Sequence, residues 1–230
     1  MTGTLTELAV AVALLIVSHF AISSTGLRAR LIAKLGEKSY LGLYSLLSLA
    51  LLVWIIFAYR RAPSIPLWSL SDALRWFALI VMAPAAILYV AGLASPNPTA
   101  VGADAKLVAA GPTGIFRITR HPFLWGTGLW GIVHMATNGE AAALVLFGGM
   151  TALALIGTRM IDAKKKVALG PAWDRFADQT SNLPFAAILA GRNRLAIDEI
   201  GAKRILGGLG LYVVLLIVHP YVFGAAPLPF

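Results

Sequence analysis

Tyr40-Leu-Gly-Leu-Tyr-Ser-Leu-Leu-Ser-Leu-Ala-Leu-Leu-Val-Trp-Ile-Ile-Phe-Ala-Tyr59 runs for twenty residues without a charge, between Lys38 and the pair Arg60-Arg61. At 1.5 Å of rise per residue a helix of that length covers the hydrocarbon core of a bilayer, about 30 Å. The rest of the chain repeats the pattern. Apolar runs lie at Leu5–Ile22, Leu74–Leu93, Pro122–Ala136, Ala141–Met160 and Ile205–Val222, making six, of which Pro122–Ala136 is the shortest and is rich in Gly and Trp. Lipid offers backbone N–H and C=O groups no partner but the helix itself, and the period-2 alternation of a barrel strand is absent. The sequence therefore predicts an all-α, polytopic membrane bundle of about six transmembrane helices, one domain over residues 1–230.

Composition agrees. Of 230 residues, 59% are hydrophobic and only 13% charged, against about 25% charged in a soluble domain. The mean hydropathy is +0.81. The first run reads as a retained helix rather than a cleaved signal peptide, because no Lys or Arg precedes Arg28 and no small-x-small site leads into a soluble domain. The connections 24–39, 94–121 and 161–204 hold four, three and eight Lys/Arg, whereas the opposite side holds only Arg60, Arg61 and Arg75. By the positive-inside rule both termini lie outside, on the periplasmic side of a bacterial inner membrane. The net charge of +9 is thus mostly a topology signal with an affinity for anionic lipid, and a nucleic-acid partner is excluded. Without cysteine there is no disulfide, thiolate metal site or thiol nucleophile.

Two connections are too long to be turns. Ala94–Arg120 carries Pro96, Asn97 and Pro98, then Gly111-Pro112-Thr113-Gly114. Ile161–Arg204 is expected to begin as an extension of the fifth run, break at Gly170-Pro171, and continue as a short amphipathic helix with Trp173 and Phe176 on its apolar side. The following segment, Leu183-Pro-Phe-Ala-Ala-Ile-Leu-Ala190, is apolar but too short to span and reads as a re-entrant or interfacial piece.

Candidate chemistry centres on Gly114-Ile-Phe-Arg-Ile-Thr-Arg-His-Pro-Phe-Leu-Trp-Gly126, which runs into Leu129-Trp-Gly-Ile-Val-His134. Ionisable side chains at membrane depth are costly and mark sites by default. Pro122 suits a first helical turn, which makes His121 the N-cap, with Arg117 and Arg120 close by. Such a cluster suits an anion: a cofactor carboxylate, a propionate or a lipid phosphate. His19 has Ser18 and Ser23 as acceptors for its second ring nitrogen, and His219-Pro220 reads mainly as a terminator. With almost no carboxylate in the spans, a zinc or di-iron site is poorly supported. Histidines on two helices in a Gly- and aromatic-rich setting fit haem, whose iron takes an axial nitrogen from each side. Gly126, Gly128 and Gly131 admit two readings, approach of a flat cofactor or tight helix packing.

These blocks, with Leu183-Pro-Phe-Ala-Ala-Ile-Leu-Ala-Gly-Arg192 and Ser18-His19 ahead of Gly26-Leu-Arg28, resemble the NnrU family, bacterial membrane proteins tied to nitrogen-oxide respiration and related to the plant zeta-carotene isomerase. The resemblance implies haem b. It places iron ligands at His19 and His134, and His134 in the catalytic role. The isomerase's alternative sulfur ligand falls on Gly131, so a Cys-for-His exchange on iron is not available here. It implies isomerisation of a lipophilic polyene, or a role in nitrogen-oxide respiration. The partners would be a lipophilic small molecule or a respiratory membrane complex, with membrane lipid around them. Arg117, Arg120 and His121 are expected to bind the cofactor. His134 lies 13 residues beyond His121, about 20 Å further along a helix. On depth alone His19 with His121, or His134 with His219, make easier pairs, so His121 stands as a substitute partner.

A second resemblance, Arg-His-Pro-x-x-x-Gly entering a helix followed by a Pro-Phe block, is to membrane methyltransferases that use S-adenosylmethionine on isoprenylcysteine or phospholipid amines. Those enzymes carry a Glu pair where this chain has the single Asp162 before Lys164-Lys165-Lys166. A non-enzymatic assembly or electron-transfer partner of a respiratory complex is the third alternative.

Overall fold

The computed structural model of the protein describes residues 3–24, 26–100 and 105–229. Every element in them is a helix, apart from an isolated bridge between Pro66 and Glu140. The apolar runs form α1 (Leu5–Ser24), α3 (Glu37–Arg61), α4 (Asp72–Ala94), α6 (Pro122–Asn138), α7 (Ala141–Leu169) and α11 (Ala202–Phe223). Between them lie α2 (Gly26–Leu35), α5 (Ala105–Ala109), a 3₁₀ turn at Gly114–Arg117, α8 (Pro171–Gln179), α9 (Ala186–Leu189) and α10 (Ile197–Ile200). The connection 24–39 is thus mostly the helix α2.

Five of these helices, α1, α3, α4, α7 and α11, are long and apolar enough to cross a membrane. The fourth apolar run does not reach that length. As α6 it has 17 residues, about 25 Å, and it stops where Gly139 turns left-handed. Neighbours in space follow the order α3, α1, α7, α6, α4, α11, so α6 sits in the middle of the row. Apolar side chains on the outer helices point away from the protein. Leu46, Val53 and Ile56 of α3, Ile80 of α4 and Leu206 and Ile217 of α11 are all exposed. In water such a belt is a liability, whereas against lipid it needs no cover.

Small residues let α6 fit its central place. A Cβ on Gly126 would lie 2.8 Å from the Ala85 carbonyl oxygen and 2.9 Å from the Tyr89 nitrogen of α4. On its other side, a Cβ on Gly131 would lie 3.0 Å from the Phe147 carbonyl oxygen of α7. The glycines of α6 therefore serve helix packing, the second of the two readings above.

The bundle has two distinct ends. At the far end the Gly3 N–H donates to Arg61 O, Leu67 N–H to Gly139 O, and Arg75 to the carbonyls of Ala226 and Leu228. Both ends of the described chain thus meet the α3–α4 and α6–α7 turns there. At the opposite, basic end, α7 runs on past the bundle to Leu169, breaks at Gly170-Pro171 and continues as α8, as the sequence predicts. Trp173 and Phe176 of α8 bury against Val108 of α5. The segment after α8 folds under the bundle. Phe185, left-handed at φ 65, donates its N–H to Ile118 O, and Ile188 packs on the cluster of Leu88, Ile115 and Phe116.

Candidate functional site

The Arg-Ile-Thr-Arg-His-Pro block sits where α6 enters the bundle, and its polar side chains are engaged within the protein. Arg117 makes a two-pronged pair with Glu199 of α10, Nε–Oε2 2.7 Å and Nη2–Oε1 2.9 Å, and donates a third bond to Asn193 Oδ1 at 2.9 Å. The Gly114 N–H donates to Glu199 Oε2 at 3.0 Å. These donors favour the ionised carboxylate. The Arg117 hydrogen bonds first, then the Gly114 N–H, hold Glu199 at a pKa of about 2. Three residues on, Arg120 pairs with Asp162 of α7 at 2.8 Å and donates to Thr180 Oγ1 at 3.2 Å. His121, the N-cap residue that the sequence predicts, is fully buried, with Nε2 2.7 Å from Asp162 Oδ1. Its Nδ1 is buried without a protein partner. Arg120 and His121 thus share one carboxylate, and Arg117 stands apart on another. Glu199 and Asn193 were not singled out from sequence, since nothing local marks a carboxylate 82 positions away as the partner of Arg117.

The two oxygens of Asp162 are taken up by Arg120 and His121. The same fastening continues through Asn182, which accepts from Trp125 Nε1 and donates to Thr158 Oγ1. The loop, α6 and α7 are thereby joined at one level.

The four histidines fall at three depths. His19 lines an apolar cavity of ≈ 360 Å³ between α1, α6 and α7, together with Phe20, Phe123, Thr127, Met150, Gly157 and Lys164. Its Nδ1 lies 2.9 Å from Leu15 O, the carbonyl that also accepts from Ser18. The side chain of Ser23, the other acceptor weighed above, lies outside the described residues. His134 is seven to eleven residues beyond Phe123–Thr127, about 10–16 Å further along α6. There its Nδ1 is 2.8 Å from Trp130 O and its ring packs on Trp130 and Phe147. The imidazole beside it is that of His219 in α11, with ring centroids 6.3 Å apart. The Nδ1 of His219 is 2.9 Å from Ala225 O. A carbonyl only accepts, so His19, His134 and His219 each carry the proton on Nδ1. In the neutral ring the lone pair then sits on Nε2, the arrangement found in metal-ligating histidines.

The face of α6 that lines the cavity continues towards His134. Phe123, Thr127, Trp130 and His134 recur at i, i+4, i+7 and i+11 and so share a face of α6. On antiparallel α7, Met150, Ala154, Gly157 and Ile161 line the same cavity. Among the described residues no group of three or more His, Asp or Glu side chains is gathered to hold a bare metal ion.

The family described as "NnrU protein" matches residues 7–227. Curated relatives named "15-cis-zeta-carotene isomerase, chloroplastic" match from two plants. The Zea mays protein is 31% identical over 170 residues, 71% of this chain and 45% of the relative. The Arabidopsis thaliana protein is 30% identical over 222 residues, 93% of this chain and 60% of the relative. This chain therefore spans about half the length of these relatives. No solved structure matches it.

Proposed function

The chain belongs to the NnrU family, and from that premise we propose that it is an integral membrane isomerase whose substrate is a lipophilic polyene of the carotenoid class. The observation that carries this reading is the apolar cavity between α1, α6 and α7 at the level of His19. It has a volume of ≈ 360 Å³, and its α6 lining lies on the helix face that leads to His134, whose ring packs on Trp130 and Phe147. An apolar polyene matches an apolar cavity among membrane-spanning helices better than a polar substrate does. Phe20, Phe123, Met150 and Leu153 would bind the chain and exclude water. The imidazoles are the reactive groups along its length.

Haem b is the cofactor we propose with this function. The donor set fits it, since the Nδ1–H of each of the three histidines is committed to a carbonyl and the Nε2 lone pair is suited to iron. His134 would hold the iron, and the family resemblance adds His19. What iron porphyrin supplies to such a reaction is a centre that draws electron density from a double bond and so eases rotation about it. Arg117, Arg120 and His121 lie about 20 Å from His134 along α6. In this reading they hold the scaffold rather than the acidic groups of the cofactor.

We place the protein in a bacterial inner membrane, with α6 as a sixth crossing. The far end, carrying both ends of the described chain, would face outward and the basic end inward. α6 is short for a crossing, but it is enclosed by α4 and α7 rather than by lipid.

Gly157 gives the test. A Cβ there meets nothing within 4 Å, and the residue lines the cavity, so Gly157→Leu starts into open space and puts an apolar side chain into the cavity. Purified protein in liposomes with 15-cis-zeta-carotene should convert it to the trans isomer under reducing conditions, followed by chromatography. Gly157→Leu should slow that conversion about tenfold or more, the equivalent of 1.4 kcal/mol or above. Equal rates would remove the cavity as the substrate site, and conversion by neither protein would leave an electron-transfer role at the same iron.

A further inference from the structure

We infer that the cleft at the basic end, lined by Arg117, Arg192 and Arg194, is a binding site for the phosphate group of an anionic lipid. The cleft measures ≈ 380 Å³, and Gln179, Gly191 and Asn193 complete its lining. Three guanidinium groups border it and no carboxylate does. Among the described residues Glu199 is the acid that answers them, pairing with Arg117 at 2.7 Å and meeting Arg194 at 3.8 Å. Arg192 has no ion pair among those residues, so the cleft carries an excess of positive charge that an anion can neutralise.

Hydrogen bonds within the protein set these groups in place before any ligand arrives. Nη1 of Arg192 donates to the carbonyls of Asp178 and Thr180. A carbonyl cancels no charge, and Nε and Nη2 of Arg192 have no protein acceptor among the described residues. The backbone N–H groups of Arg192 and Asn193 both donate to Ala187 O. The Asn193 side chain donates to Gln179 O and accepts from Arg117 and from the Arg194 N–H. The paired N–H groups of a guanidinium match two oxygens of one phosphate, and arginine fits that geometry where lysine offers only a point charge. The neighbouring side chains favour a lipid over a water-borne phosphate. Leu189, 86% exposed, comes just before the arginines, and Leu195 and Ile197, also exposed, come just after them. Cations bracketed by uncovered apolar side chains suit the boundary between headgroups and acyl chains, whereas a free phosphate gains nothing from that border.

The experiment needs no turnover. The full-length protein in neutral detergent is titrated with short-chain phosphatidylglycerol, with phosphatidylcholine of the same chain length, and with inorganic phosphate at matched ionic strength. Binding is read as a rise in melting temperature and, for the lipids, as adducts in native mass spectrometry. Wild type should bind phosphatidylglycerol more tightly than either of the other two. Arg192→Gln and Arg194→Gln should each weaken that binding about fivefold and leave phosphatidylcholine unaffected. Arg194, 78% exposed, makes no bond to a backbone carbonyl, so its variant keeps the fold even if loss of the Arg192 bonds loosens the loop. Arg30→Gln, the same change of charge on exposed α2, should keep wild-type affinity. An equal loss in Arg30→Gln, or equal binding of the two lipids, overturns the site in favour of diffuse surface charge. Inorganic phosphate that binds as tightly as phosphatidylglycerol, with the same dependence on Arg192 and Arg194, overturns the lipid as its occupant.

Discussion

At the scale of single residues, the basic end is held by two ion-pair clusters whose members come from distant parts of the chain. Arg117 reaches Glu199 through two side-chain bonds, and Arg120 and His121 converge on Asp162. Glu199 fixes a pH dependence. Its folded-state pKa, about 2, is below the ordinary 4.5, so the cluster's stabilisation is fully present above about 4.5 and is lost as pH falls from there towards about 2. Glu199→Gln should lower stability by about 1 kcal/mol near neutrality, the scale of one charged hydrogen bond in a partly exposed site. The deficit should shrink across that acidic window, as read by thermal melts in detergent at several pH values. A constant difference down to pH 2 would show that the carboxylate's charge is not what matters. The sequence singled out Arg117, Arg120 and His121 because cations and an imidazole before an apolar helix are conspicuous. It expected an anion of a cofactor or lipid there and not the acids they pair with, because Asp162 of α7 and Glu199 of α10 lie 41 to 82 positions away.

At the scale of one element, α6 explains why the glycines of the middle run stand where they do. Gly126 lies against the backbone of α4, whereas Gly157 of α7 has open space around it. Gly126→Ala should therefore cost about 1–3 kcal/mol through overpacking, and Gly157→Ala should be close to neutral. Comparing the two melting temperatures in one detergent checks this, and similar values would refute the close packing of α4 on α6. Length and hydrophobicity made five of the six runs legible as long helices. Both also flagged α6 as the weak one. The period of the sequence cannot distinguish a glycine that admits a cofactor from one that admits a neighbouring helix, since each needs the same missing side chain. The close approach of Ala85 and Tyr89 decides it.

At the scale of the whole molecule, the two ends of the described chain lie together at the end where Arg61, Arg75 and the α6–α7 turn meet. The native chain has no cysteine, so single cysteines report sidedness cleanly. In right-side-out vesicles a cysteine at Ala226 should react with an impermeant thiol reagent. One at Val167, 90% exposed at the basic end, should react only after permeabilisation. The reverse pattern would invert the proposed orientation, and reaction at both would break the bundle reading.

Uncharged runs of membrane-spanning length, with charges confined between them, were enough by themselves to determine a helical membrane bundle, because lipid penalises every unpaired backbone group and every bare charge independently of which helix packs on which. Composition alone also removed thiol chemistry. Which histidines share a depth, which acids neutralise the basic block and where an apolar cavity opens depended on helix order and offset. Those were decided only when α6 was enclosed between α4 and α7, since contacts between remote segments leave no mark in local spacing.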